Sequence, residues 1–287
     1  MQPKTLIYGK NGQVGHALKS LLADDAIVIS SQELDFLDTK KAIEVLGNLP
    51  INAIINAVAY TDVNKAEEEE EIAYRINALV PEAMTVYCKE RNIPFIHYST
   101  DYVFPGYGDI AYTEIDQPSP LNAYGRTKLA GEEKIARIGG KCLILRTSWV
   151  FDSSRKNFLT TMLKLAQEQE ELCIVNDQIG APTYAPHLAE ATIKLCEQVI
   201  RGGSIEGIYH LCNSGYTSWY SFAVEIFNQA RKNNIALKVK DVKPINSEAF
   251  PSKVIRPKNS RLNCSKVMDN FGITMPSWQG GVIEAFR

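Results

Sequence analysis

Tyr124 and Lys128 stand four residues apart in the stretch Tyr124-Gly125-Arg126-Thr127-Lys128. On a helix this spacing puts both side chains on one face. A phenol ionises near pH ~10, too high to trade protons readily at neutral pH. A neighbouring ammonium favours the phenolate and lowers that value. The pair can therefore give a proton to an oxygen that is becoming an alkoxide and recover it from solvent. Alone the pattern is common, and a surface tyrosine near a lysine is its plainer reading. Its company adds weight. Thr100 follows an apolar run at 95–99, and parallel sheets place active residues at the carboxyl ends of strands. A hydroxyl there can bond a substrate oxygen beside Tyr124, or it can cap a turn. Asp101 fits a contact to ligand hydroxyls or a turn cap equally well.

A second constellation opens the chain. Gly9-Lys10-Asn11-Gly12-Gln13-Val14-Gly15 follows a first strand and begins a first helix, the context that a dinucleotide fingerprint requires. Gly9 permits the tight turn, Gly12 lets the backbone approach a pyrophosphate, and Gly15 lets the helix pack on the strand. The helix start, with Gln13 and Val14, offers free N–H groups and a positive dipole to phosphate. The spacing is GxxGxxG rather than GxGxxG, and a ligand-free structural turn is the alternative. The acid expected about 20 residues further on is missing. Ser30, Ser31 and Gln32 stand there instead, so strict NAD use is not supported. Asp35 and Phe36, or Asp38, can line an adenine pocket. Asn56-Ala57-Val58-Ala59-Tyr60 ends the third strand with small residues, against which a ribose can lie.

Elements of regular length must position these groups. Apolar, unalternated runs at 5–8, 26–30, 53–56, 95–99 and 142–147 read as strands. Amphipathic runs at 12–23, 39–46, 68–91 and 123–137 read as helices between them. This alternation predicts an α/β fold, a Rossmann-type doubly wound parallel sheet. Residues 1–150 are expected to form the dinucleotide-binding domain. Residues 151–287 are expected to form mainly a smaller C-terminal substrate-binding lobe, with segments near 172–175 and 208–211 returning to the sheet. Helices are expected at 158–169, 186–200 and 218–232. The tail from Ala236 carries Pro244, Pro251, Pro257 and Pro276 and reads as loop-rich.

The 287 residues are 45% hydrophobic and 22% charged, which excludes a disordered chain. A net charge of −2 argues against tracking a nucleic-acid backbone. No segment approaches the ~20 apolar residues of a membrane span, and no signal-peptide layout opens the chain. Six cysteines without CxxC or Cys/His spacing read as reduced thiols. The acids 67–71 read as a solvated helix start. His16, His97, His187 and His210 are dispersed and read as structural, and no metal site is expected.

Together, the glycine loop, Asn56-Ala57-Val58-Ala59, Ser99-Thr100-Asp101 and the Tyr124–Lys128 pair look like an extended short-chain dehydrogenase/reductase. The finer stretches are His97-Tyr98-Ser99-Thr100-Asp101-Tyr102-Val103-Phe104-Pro105-Gly106, Pro120-Leu121-Asn122-Ala123-Tyr124-Gly125, Arg146-Thr147-Ser148-Trp149-Val150, Asn176-Asp177-Gln178-Ile179-Gly180-Ala181-Pro182-Thr183 and Arg256-Pro257-Lys258-Asn259-Ser260-Arg261. They resemble the dTDP-4-dehydrorhamnose reductase family over nearly the whole chain. The resemblance implies that NADPH or NADH reduces the C4 ketone of a dTDP-4-dehydro-6-deoxy-L-mannose in the cytoplasm. It implies Tyr124 as proton donor, Lys128 as its modulator and ribose ligand, and Thr100 at the carbonyl. Gly12, Gln13, Val14, Ala57, Ala59 and Tyr60 would line the cofactor, with Asp35 and Phe36 near adenine. Thr100, Asp101 and Trp149 would contact the sugar nucleotide. Trp149 also fits lobe packing. Arg256 and Arg261 are candidates for the diphosphate, or bridges within the tail.

Some relatives carry a first-helix glutamate in a metal-linked dimer contact. That position is Ala17 here, so no such bridge is expected, and a homodimer stays open. A dehydratase would want an acid pair near the threonine, but Asp101 is followed by Tyr102. Reduction of another 4-keto nucleotide sugar is a rival. So is a cofactor-binding regulatory subunit of methionine adenosyltransferase, against which the intact Thr100, Tyr124, Lys128 and Trp149 set argues.

Overall fold

The computed structural model describes residues 3–30, 37–47, 49–202 and 206–287. Six strands form one sheet: β1 (Lys4–Tyr8), β2 (Ala26–Ile29), β3 (Ile51–Asn56), β4 (Phe95–Thr100), β5 (Cys142–Thr147) and β6 (Gly207–His210). Their order is β6-β5-β4-β3-β1-β2, and every pairing is parallel. Strand side chains alternate between faces. Ile7, Ile55, Ile96 and Leu145 pack with Leu18 of the helix Gln13–Leu22 and Leu188 of the helix Ala185–Ile200. Leu6, Tyr8, Ile54, Phe95 and Ile144 pack with Met84 of the helix Val80–Glu90 and Ile135 of the helix Ala123–Ile138. Cover on both faces is why these strands read as unbroken apolar runs. The strand order reverses between β1 and β3, which opens a crevice at their carboxyl ends.

The segment expected near 208–211 joins the sheet as its edge strand, β6. The Ile208 carbonyl accepts from the Lys266 ammonium at 2.7 Å, and the His210 N–H donates to the Glu114 carboxylate at 2.8 Å. The segment expected near 172–175 does not return to the sheet. Glu171–Val175 pairs in parallel with Asp241–Ile245, apart from the six strands. Its residues Glu171 and Cys173 are exposed while Leu172 and Ile174 are buried. That one-sided pattern suits a two-stranded ribbon on the lobe, not a sheet covered on both faces.

The helix expected over 68–91 is present from Glu70 to Glu90, with a π turn at Arg75–Leu79 between Glu70–Tyr74 and Val80–Glu90. Pro81 has no N–H to give to the Asn77 carbonyl, its i−4 partner, so the regular ladder cannot run through this point. The tail is less loop-rich than expected, since Ser265–Phe271 and Trp278–Ala285 are helices. Trp278 and Val282 close the lobe core around Phe151, Leu159, Phe222 and Phe227. All six cysteines are free, and no helix among the described residues is long and apolar enough to cross a membrane.

Candidate active site

The glycine loop sits where the strand order reverses. Gly9 has φ +93°, and a Cβ on it would lie 2.9 Å from the Ala57 backbone at the end of β3. A Cβ on Gly15 would lie 2.1 Å from the Gly9 carbonyl oxygen. Both positions therefore demand glycine for close approach. A Cβ on Gly12 would meet only the Gly9 carbonyl, at 3.5 Å, so the space over the helix start is open. An open cradle at a ten-residue helix N-terminus fits a dinucleotide pyrophosphate. The Gln13 side chain is otherwise engaged. Its Nε2 donates to the Val150 carbonyl at 3.1 Å, and its Oε1 accepts from Asn157 at 3.0 Å. Gln13 thus ties the loop to the start of the lobe and has its backbone to offer a ligand. The Ala57 backbone lies beside the cradle, and Ala57, Ala59 and Tyr60 are half-buried. The Tyr60 phenol donates to Glu69 at 2.5 Å, and its N–H donates to Asn77. Asp35 and Phe36, like Ser31 and Gln32, lie outside the described residues.

The helix Ala123–Ile138 carries Tyr124 and Lys128, and its start is held from three sides. Asn122 caps it, accepting from the Gly125 N–H at 2.9 Å. The Glu67 carboxylate accepts from the Ala123 N–H at 2.7 Å, and Arg126 donates to both oxygens of Glu70 at 3.0 and 2.8 Å. The acidic run is therefore more than a solvated helix start. Gly125 and Gly131 let the helix close on its supports. A Cβ on either would stand 2.2 Å from a carbonyl oxygen, of Tyr102 and of Asn77 respectively.

Thr100 ends β4 and faces this helix. Its hydroxyl lies beside the Tyr124 phenol, donates to Asp101 Oδ1 at 3.0 Å, and accepts from the Tyr102 N–H at 3.2 Å. Burial pushes the Tyr124 phenol well above its ordinary range, with Thr100 opposing. Asp101 is buried, and desolvation lifts its carboxyl to about 6 against the pull of Ser260 and Thr100. Lys128 is buried too, and desolvation draws its amine down to about 7. Its Nζ donates to the Tyr98 carbonyl at 2.5 Å and lies 3.0 Å from His97 Nε2. Tyr124 and Lys128 thus share a helix as expected, and Lys128 is anchored to His97 and Tyr98 of β4. His97, read as a structural histidine, touches the lysine of the motif.

Trp149 follows β5 with φ +48° and stacks on Trp219 at 3.6 Å and 11°. Its indole covers Gly180, where a Cβ would lie 2.6 Å from the ring. Trp219 in turn donates from Nε1 to Gln178. Lobe packing is therefore observed for Trp149, and Trp219 is a partner that sequence reasoning missed. Arg256 reaches the site through Tyr102, whose ring meets Tyr124 edge-on at 5.5 Å. Arg256 Nε is buried without a hydrogen-bond partner. Arg261 donates to Asn259 at 2.9 Å, a bridge within the tail. Among the described residues no group of three or more His, Cys, Asp or Glu is placed to hold a metal.

A glycine loop at the reversal point of a parallel sheet, with Thr100 at the end of β4 beside the helix that carries Tyr124 and Lys128, is the arrangement of an extended short-chain dehydrogenase/reductase. Within that class, the family model described as RmlD substrate binding domain matches residues 3–287, and the chain belongs to that family. It is 43% identical over 283 residues to a dTDP-4-dehydrorhamnose reductase of Escherichia coli (strain K12), covering 96% of this chain and 95% of that protein. It is 34% identical to the spore coat polysaccharide biosynthesis protein SpsK of Bacillus subtilis (strain 168), covering 98% and 96%. Among solved structures it resembles dTDP-4-dehydrorhamnose reductase of Bacillus anthracis in complex with NADP. That match has TM-score 0.92 and 35% identity, and covers 100% of this chain and 99% of that one.

Proposed function

We infer that this protein uses NADPH or NADH to reduce the C4 ketone of dTDP-4-dehydro-6-deoxy-L-mannose to dTDP-L-rhamnose, the last step in making that sugar nucleotide for cell-surface polysaccharide. The observation that carries this is the placement of the Thr100 hydroxyl, at the carboxyl end of β4, beside the Tyr124 phenol on the helix that also carries Lys128. The named relatives support the substrate.

The reduced nicotinamide supplies hydride when bound, and the chain supplies orientation and an acid. Gly9, Gly12 and Gly15 give the pyrophosphate its cradle, with Gln13 and Val14 offering backbone N–H groups. Ala57, Ala59 and Tyr60 line the cofactor, as Asp35 and Phe36 do near adenine. Burial keeps the Tyr124 phenol protonated, the form a donor needs. Tyr124 passes its proton to the carbonyl oxygen, and the Thr100 hydroxyl bonds that oxygen as negative charge develops there. Lys128 holds the nicotinamide ribose and, when protonated, favours the phenolate left behind. Asp101 and Trp149 contact the sugar, and Arg256 and Arg261 the diphosphate. Residues 1–150 carry the cofactor and 151–287 most of the substrate lobe. The reading implies a cytoplasmic enzyme, and sedimentation decides whether it is a homodimer.

The test is oxidation of NADPH and of NADH, followed by absorbance, with enzymatically generated dTDP-4-dehydro-6-deoxy-L-mannose and identification of the product. Formation of dTDP-L-rhamnose is the expected result. A folded, cofactor-binding protein that oxidises neither cofactor overturns the proposal.

A further inference from the structure

Lys128 is held by a chain of hydrogen bonds that begins outside the Tyr-x-x-x-Lys motif. Its first member is the Val58 backbone N–H, which donates to Asn56 Oδ1 at 3.1 Å. A backbone N–H can only donate, so this bond fixes which way the Asn56 amide faces. The NH₂ of Asn56 is then the group 3.0 Å from His97 Nδ1. An amide NH₂ also only donates, so Nδ1 accepts and carries no proton. A neutral imidazole with a bare Nδ1 carries its proton on Nε2. That proton points at Lys128 Nζ, 3.0 Å away. An ammonium has no lone pair with which to accept it, whereas a neutral amine has one. An imidazolium is excluded by the same geometry, because its Nδ1–H would face the Asn56 NH₂.

We propose that His97 is a positioning residue for the reductase. In the cofactor-free enzyme its Nε2–H donates to Lys128 and holds the lysine as a neutral amine, in a tautomer set by Val58 and Asn56. This rests on the reductase reading only for its kinetic consequence.

The surrounding charges leave the chain in control. Burial and the neighbouring lysine both disfavour a charged His97, and burial disfavours a charged Lys128. Glu132, one turn along the same helix, favours the ammonium, but both its oxygens accept from Arg146 of β5. Tyr124, one turn back, lies beside Thr100 and Asp101. Several other charges on the packed elements are engaged elsewhere, while Lys65, Glu133 and Arg137 stand on the same elements without an ion pair among the described residues. Glu67 and Glu70 hold Ala123 and Arg126, Arg75 of the π turn pairs with Glu71, and Glu82 of the helix Val80–Glu90 pairs with Lys134.

The direct test is nitrogen-15 NMR of the histidine rings in the cofactor-free protein, with His97 identified by its absence from His97→Asn. The expected result is one neutral ring, protonated on Nε2, that does not titrate from pH 5 to 8. A proton on Nδ1, or a titrating ring, overturns the proposal whether or not the protein turns over a sugar. Asn56→Asp supplies the second arm. A carboxylate accepts from both Val58 N–H and His97 Nδ1–H, so Nε2 becomes an acceptor and Lys128 is held as the ammonium. The midpoint at which kcat/KM for NADPH falls with rising pH is then expected to move up by about one pH unit or more. An unchanged midpoint overturns the proposal. If Asn56→Asp does not fold, the wild-type tautomer decides alone.

Discussion

Arg146 on β5 and Glu132 on the catalytic helix meet through two hydrogen bonds, of 2.9 and 2.6 Å, with both side chains only 2% exposed. Their placement locks the middle of that helix to the sheet. Replacing Glu132 with alanine leaves a guanidinium buried without its counter-charge. Breaking a buried pair in this way costs about 3–5 kcal/mol. Chemical denaturation of Glu132→Ala is expected to show a loss of that size, and a loss below about 1 kcal/mol would mean that the pair is not buried in solution.

Tyr124→Phe removes one hydroxyl and leaves the ring against Tyr102. Cofactor binding, followed by fluorescence, is expected to stay within a few-fold of wild type. Turnover is expected to fall by about 10²-fold or more, the usual contribution of a placed general acid. A variant as fast as wild type would remove Tyr124 from the proton transfer.

Asp101 gives a pH dependence whose sign follows from burial. Its folded value of about 6 lies above the ordinary 3.8. The folded state therefore binds more protons than the unfolded chain between those values. Stability from this group is present in full below about pH 4 and is lost as pH rises through 6. Thermal midpoints of wild type are expected to fall relative to Asp101→Asn from pH 4 to 7. Parallel curves for the two proteins would show that the carboxyl is not desolvated.

The glycine loop separates ligand approach from packing. Gly15→Ala puts a methyl 2.1 Å from the Gly9 carbonyl oxygen, so both folding stability and NADPH affinity are expected to drop. Gly12→Ala meets nothing closer than 3.5 Å. It is expected to keep the unfolding midpoint and weaken NADPH binding, because the methyl occupies the space over the helix start. Equal NADPH affinities for Gly12→Ala and wild type, measured by calorimetry, would place the pyrophosphate elsewhere.

What the sequence made legible was local or periodic. Buried strands such as Leu6-Ile7-Tyr8 announce themselves by composition, and Gly9, Gly12 and Gly15 by spacing after a strand. Tyr124 and Lys128 share a face because four residues make slightly more than one helical turn. Pairings across long separations were hidden. Nothing near Glu67 or Glu70 says that they hold Ala123 and Arg126, 56 residues away. Trp219 meets Trp149 only once the lobe has folded back. The strand Asp241–Ile245 contains Pro244 and little apolar alternation, so its partner Glu171–Val175 was assigned to the larger sheet. His97 looked structural because a buried histidine reveals its partners only through Asn56 and Lys128, on two other elements.

The edge of the sheet bears on how the protein behaves in company. An uncovered edge strand offers unpaired backbone groups that template addition of a further chain. On β6, two of these outward groups are taken by side chains, the Ile208 carbonyl by Lys266 and the His210 N–H by Glu114. A strand from a second molecule would have to displace two charged groups before its first backbone bond formed. This margin of the sheet is thereby guarded against edge-to-edge addition of a further strand.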